Sequence, residues 1–200
     1  MFTIQRIAFT ASTSFASDAN IFSVPLEIVR STPGFVSAFR GLQIDDGKTG
    51  YFITVWQSAE DYASFTQGGA YSDFLAALRP AATGELEVHH VPADAVNPTT
   101  ALSAPATELV IFTLKTGVTP AEISPLFDDL ARGLNAASGA HPPCVWAPSK
   151  VSGNHILVFV GWDTVEAHWD AVKEGTELHS VIQLLLKKSD FVLGHVNLVE

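Results

Sequence analysis

One pattern is written twice along this chain, and that repetition limits what it can fold into. The stretch YFITVWQSAEDYASF, Tyr51–Phe65, has a counterpart in LVFVGWDTVEAHWDAV, Leu157–Val172; each is an apolar strand ending in tryptophan, followed by a carboxylate-bearing helix start. Trp56 and Trp162 stand 106 residues apart, and the same offset lays Gly47 on Gly153, Tyr51–Val55 on Leu157–Gly161 and Glu60 on Glu166. It also lays Ile4 and Ile7 on Val110 and Thr113, so the first strands of the two halves align. Beyond the helix start, one inserted residue brings Tyr71, Phe74, Leu75 and Leu78 onto Leu178, Val181, Ile182 and Leu185. The repeating unit is roughly 95 residues, the size of a domain and too long for one rung of a solenoid. The boundaries read as a first copy over 1–92, a linker over 93–107 and a second copy over 108–200.

Within the second copy, ELVIFTLK is a strand, and TPAEISPLFDDLARGL opens with Thr119, Pro120 and Glu122 at the N-cap, N1 and N3 positions of a helix. Ile123, Phe127, Leu130 and Leu134 form one apolar stripe along it. A short strand around Cys144–Trp146, a Ser152-Gly153-Asn154 turn and a strand over His155–Trp162 follow. Asp163 and Glu166 have capping-box spacing for the next helix, and the last strand reads as Phe191–Val199. The first copy repeats this order with a strand over Phe2–Thr10, a helix near Ile21–Arg30, a hairpin at Asp45-Asp46-Gly47, a helix from Ser58 and a strand over Glu85–Val91. Between the copies, VPADAVNPTTALSAPATE has no apolar periodicity and reads as linker.

Each half is thus β-α-β-β-α-β, the ferredoxin-like order, an α+β fold with both helices on one face of an antiparallel sheet. Phe191 and Leu193 alternate with Val192 and Gly194, so the opposite face of the sheet also carries apolar groups. Two copies related by a pseudo-two-fold would cover each other's open faces and close an intramolecular, pseudo-dimeric α/β barrel.

Composition narrows the function. A formal charge of −10, with eleven scattered Lys and Arg, argues against nucleic acid and anionic membrane as partners. A single cysteine, Cys144, allows no intrachain disulfide, and no apolar run approaches the ~20 residues of a membrane span. The start MFTIQRIAFTAS lacks a signal-peptide pattern, so a cytoplasmic location is the expectation. No zinc spacing, phosphate loop, nucleotide fingerprint or nucleophile elbow is present, and no metal site is expected.

The element order, with VFVGWDTVEAHWDAV and FITVWQSAEDYASF, resembles the dimeric α/β-barrel superfamily, closest to antibiotic-biosynthesis monooxygenase and stress-responsive barrel domains. The resemblance covers both halves as a tandem fused copy. It implies a pocket between each sheet and its own helices, a small hydrophobic or aromatic ligand, and association into a homodimer as an option. Members of that superfamily include cofactor-independent oxygenases, polyketide cyclases, muconolactone isomerases and haem enzymes, and fold alone does not choose among them. The signatures of these branches are incomplete here. Phe52 and Val158 stand where the cofactor-free oxygenases carry Asn, neither first strand holds the histidine of the cyclases, and the early Asn of haem-degrading members is missing.

Residues that differ between the copies carry the remaining information. Thr49 corresponds to His155, Tyr62 to His168 and Ser72 or Asp73 to His179, so imidazoles gather in the second half and point to a C-terminal pocket. A neutral imidazole can take a proton from a phenol or an activated methylene, or ligate iron. His168, His179 and His195 are the catalytic candidates; His168 also reads as a partly exposed helix histidine, and His195 as part of a structural network. On an unbroken helix His168 and His179 would lie ~16 Å apart, at opposite ends of one elongated pocket. His195 and Asn197 share a face of the last strand as a buried polar pair, whereas His155 beside its turn reads as solvated. Of His89 and His90, adjacent on a strand, at most one reaches a pocket. Trp146 and Trp169 have no aromatic counterpart in the first half and are candidates for the pocket wall; Trp162, matched by Trp56, reads as packing beside it. The functional expectation is a small-molecule enzyme without a cofactor, oxygenating or cyclising an aromatic or polyketide-like substrate. A haem enzyme with His168 or His179 as axial ligand and a non-catalytic ligand binder are the alternatives.

Overall fold

Alternating apolar residues followed by capped helices produce the same element order in both halves. The computed structural model describes residues 1–93 and 97–200, and the chain divides into two compact units, Met1–Val96 with Val199–Glu200, and Asn97–Leu198. The middle of the expected linker, 94–96, lies outside the described residues.

Unit 1 runs β1 (Phe2–Ala11), α1 (Thr13–Ser17), α2 (Ser23–Arg30), β2 (Phe35–Leu42), β3 (Thr49–Trp56), α3 (Ala59–Gln67), α4 (Gly69–Leu78), a 3-10 turn (Arg79–Ala81) and β4 (Ala82–Ala93). Unit 2 runs α5 (Thr99–Leu102), β5 (Ala106–Leu114), α6 (Pro120–Ala136), β6 (Ala140–Pro148), β7 (His155–Trp162), α7 (Val165–Val172), α8 (Glu177–Lys188) and β8 (Ser189–Val196). The sheets have the same antiparallel order, β2-β3-β1-β4 and β6-β7-β5-β8. Each unit is ferredoxin-like, α+β. Among the described residues, no helix is long and apolar enough to cross a membrane.

The helix starts are built alike in the two units. The Ser58 side chain accepts from the Asp61 N–H at the head of α3, and Thr164 accepts from the Ala167 N–H at the head of α7. The cap of α7 is therefore Thr164 and not Asp163, whose carboxylate instead holds His141 at 2.7 Å. Just before β2 and β6, Gly34 and Gly139 both have φ of 79°, and their carbonyls accept from Gln57 N and Asp163 N. A Cβ on Gly34 would stand 2.2 Å from Asp61 Cγ, so both the left-handed backbone and the close approach require glycine there.

The helix-facing side of the second sheet packs Val110, Phe112, Val158 and Trp162 against Ile123, Phe127, Leu130 and Leu134 of α6 and Leu178 and Leu185 of α8. A fully buried side chain such as Phe127 contributes about 1.5–3 kcal/mol. Leu109, Leu157 and Phe159, on the sheet's other face, are buried as well.

Three sequence expectations are corrected. First, from 99 onward the presumed linker is packed structure: Ala101, Leu102 and Ala104 are buried, and the Thr107 hydroxyl donates to the Ala101 carbonyl. A four-residue helix is too short to display periodicity. Second, the helix carrying His168 is broken. Lys173–Thr176, with Gly175 at φ 91°, separates α7 from α8, and Thr176 caps α8 through the His179 N–H. The third concerns the first strands. Thr3 pairs with Trp56 and Ala106 with Trp162, so β1 and β5 match at an offset of 103 residues, three fewer than the tryptophans imply. Gln5 is thus the counterpart of Glu108, and Ile7 of Val110.

Candidate functional site

Period-two alternation places Glu108, Val110 and Phe112 of β5, with His195, Leu193 and Phe191 of β8, on the face beneath the helices. There a cavity of about 220 Å³ lies between the sheet and α6, α7 and α8 of unit 2. Its wall is mostly apolar, including Val110, Leu130, Val158, Ile182 and Leu193. Glu108, His168, His179 and Gln183 are its polar groups.

At one end three ionisable side chains meet. His168 Nδ1 lies 2.8 Å from His195 Nε2, and His168 Nε2 lies 3.5 Å from Glu108 Oε1. The Trp162 indole N–H donates to Glu108 Oε2 at 2.8 Å. The His168 ring is flanked by Trp162 and Trp169, at centroid distances of 5.4 and 4.4 Å. His168 is 2%, His195 0% and Glu108 5% exposed, so the cluster sits in a medium where charge is costly. Burial pushes the Glu108 carboxyl up to about 7, against the opposing pull of the Trp162 hydrogen bond. A group titrating there can hold or release a proton near neutrality.

His179, half-buried on α8, lines the same cavity as His168, and its Nδ1 lies 3.2 Å from the Val172 carbonyl. Trp169, 51% exposed, lines the cavity beside solvent, and Trp162 lies fully buried behind Glu108. Trp146 is elsewhere: it stacks on Phe127 at 5.2 Å. His155, opposite Thr113 in the ladder, alternates onto the face away from the cavity. Asn197 lies past the end of β8, exposed, and donates to the Pro105 carbonyl. It is not the inner-face partner of His195, because the strand ends one residue earlier.

Glu108 is the residue that sequence reasoning missed. The three-residue misalignment of the first strands hid its pairing with Gln5, although a lone carboxylate at an inward position of ELVIFTLK was a usable signal.

In unit 1 the same positions carry a network of different character. Gln5 pairs across the sheet with His90, as Glu108 does with His195, and Tyr62 stands at the place of His168 with its ring tilted against His90 at 4.7 Å. Imidazoles are therefore not confined to the second half. Gln5 Nε2 donates to the hydroxyls of Tyr62 and Tyr71, its Oε1 accepts from Thr54, and Thr54 Oγ1 accepts from the Trp56 N–H. Phe52 and Phe74, 5.6 Å apart and fully buried, stand where the second copy has the smaller Val158 and Val181.

Haem does not fit the unit 2 site. A cavity of about 220 Å³ is below the ~300–1,000 Å³ of pockets for drug-sized ligands, and a porphyrin is larger than such ligands. Both His168 nitrogens are directed at protein partners. Among the described residues, no three His, Cys, Asp or Glu side chains are placed to hold a metal ion.

No protein-family profile matches this sequence, and no curated protein does either. Solved structures do match. A candidate monooxygenase of Fusobacterium nucleatum superposes with a TM-score of 0.73 at 11% identity, covering 100% of this chain and 93% of its own. An anthrone oxidase-like protein gives 0.71 at 14%, covering 100% and 91%. A candidate monooxygenase of Lactobacillus acidophilus gives 0.64 at 12%, covering 99% and 94%. This chain has their fold. At such identities the likeness speaks for architecture, and the chemistry has to be argued from the side chains.

Proposed function

We propose that unit 2 is the functional unit of a small-molecule enzyme, and that it draws a proton from an aromatic or polyketide-like substrate as the first step of a cofactor-independent oxygenation or cyclisation. The observation that carries this reading is the buried Glu108–His168–His195 cluster at the end of a mostly apolar cavity. Buried ionisable groups are costly, and in a structural core they are replaced by apolar ones at little loss; gathered at a cavity they suit acid–base work. A carbanion or enolate held beside an apolar wall can react with oxygen or close on a carbonyl of its own chain. Unit 1, with its amide and phenol network and ring-filled core, serves as scaffold. The monooxygenase and anthrone oxidase-like names of the fold neighbours make oxygen consumption the first readout to examine.

The test is a panel of aromatic phenols and polyketide-like enones, followed by oxygen uptake and product mass, with His168→Ala and His195→Ala beside the parent. Turnover that either substitution abolishes supports the enzyme. Turnover unchanged by both overturns it, and a stoichiometric organic ligand that exchanges without chemistry would make the protein a binder.

A further inference from the structure

We propose that Glu108, not His168, is the catalytic base that meets the substrate. We further propose that the substrate is a one- or two-ring ketone, enol or phenol with an acidic C–H or O–H at one pole and a second hydrogen-bonding group at the other. This rests on the reading of unit 2 as the functional unit.

The geometry around His168 leaves it no free role. Nδ1 faces His195, Nε2 faces Glu108, and indoles flank the ring, so it cannot take a ligand's proton without giving up a partner. A carboxylate has about four lone-pair sites, and Trp162 and His168 engage only part of that capacity on a side chain that lines the cavity. His168 and His195 are then positioning residues. In the tautomer in which His195 Nε2–H donates to His168 Nδ1, the other proton stands on His168 Nε2, directed at the carboxylate. The ionisable groups around Glu108 are His168 from α7, His195 from β8, Cys144 from β6, whose thiol burial pushes up, and His179 of α8 across the cavity. Titration of Glu108 near neutrality agrees with the assignment.

The step balances within the site. Glu108 Oε1 forms a bond to the substrate proton, the C–H or O–H bond breaks, and its electron pair remains on the substrate as enolate or phenolate. No other reactant is needed. At the opposite wall His179 and Gln183 stand four residues apart on one face of α8. With Nδ1–H given to the Val172 carbonyl, His179 offers Nε2 as an acceptor, and Gln183 offers both a donor and an acceptor. That wall suits a hydroxyl or carbonyl at the second pole. The cavity's size limits the body between the poles to one ring or a fused pair.

The experiment uses 2-tetralone, a bicyclic ketone with an acidic methylene, as probe. Binding is followed by quenching of tryptophan fluorescence and compared with Trp169→Phe; deuterium incorporation from heavy water is followed by NMR. The parent should bind and accelerate exchange. Glu108→Gln, which installs the residue that unit 1 carries at this position, should bind and lose exchange by a factor of about 10²–10⁴. Val158→Phe, copying Phe52, should lose both. His195→Gln should raise the pH midpoint of exchange, because the carboxylate loses the oriented His168 N–H. Exchange that persists in Glu108→Gln, or binding to the parent without exchange, overturns the base assignment and leaves the cavity reading standing. No binding by the parent overturns both.

Discussion

His168 Nδ1 and His195 Nε2 approach to 2.8 Å although 27 residues of chain separate them. One imidazole comes from a helix and the other from the sheet's edge strand, so the contact ties α7 to β8 under cover from solvent. Replacing His195 with Ala strands a buried imidazole nitrogen and should cost about 1–3 kcal/mol in urea unfolding. His195→Gln, which retains a donor, should recover part of that loss.

Glu108 makes stability fall as pH rises. Its carboxyl titrates at about 7 in the folded chain against 4.5 as the ordinary value, so between those limits the folded state holds more of the proton. Stability is therefore lost from pH 4.5 upward until the group is fully ionised above 7. The full span is on the order of 3 kcal/mol. Glu108→Gln should match the parent near pH 4.5 and exceed it above 7, as measured by paired urea titrations across pH.

Glu87 has the opposite sign. The His89 hydrogen bond, with Arg6 nearby, holds its carboxyl down at about 2. Its contribution is present above pH 4.5 and disappears as pH falls toward 2. Because Glu87 is half exposed, the effect should stay within about 1 kcal/mol. Glu87→Gln should flatten the acid limb of the stability curve by lowering the region above pH 4.5 by up to about 1 kcal/mol while matching the parent near pH 2.

Gly34 and Gly139 should refuse alanine. Each combines φ of 79° with a crowded Cβ position. Gly34→Ala, facing the Asp61 side chain at 2.2 Å, should lose more than the ~1 kcal/mol of backbone strain alone. Thermal unfolding of the two single variants would rank them, with Gly139→Ala, whose nearest neighbour is the Ala167 methyl at 2.9 Å, the milder.

The strand His155–Trp162 was readable to the residue because its apolar run begins at a turn and ends at a tryptophan. The α6 start was equally plain, since Thr119 and Pro120 each have a position-specific reason to be there. The break between α7 and α8 was harder to see. Gly175 marks it, but residues on both sides keep helical spacing, and one inserted residue in an alignment does not reveal a loop. The site was legible in its imidazoles and hidden in its carboxylate. His168 and His195 differ conspicuously from a generic core, whereas Glu108 heads the apolar run ELVIFTLK, a place where a charged residue ordinarily faces water. Three-dimensional pairing, not composition, assigns it to the inside.

Val199 pairs with Arg40 through both backbone hydrogen bonds, which joins the last residues of the chain to β2, the outermost strand of the first sheet. A fragment carrying the first copy alone would lack that cover. Its β2 edge would gain an unpaired N–H and C=O at Arg40 that a neighbouring strand could engage. The first compact unit is thus not one contiguous stretch of chain: it includes Val199–Glu200 as well as Met1–Val96, so a cut between the copies would take away the Val199 bridge to Arg40.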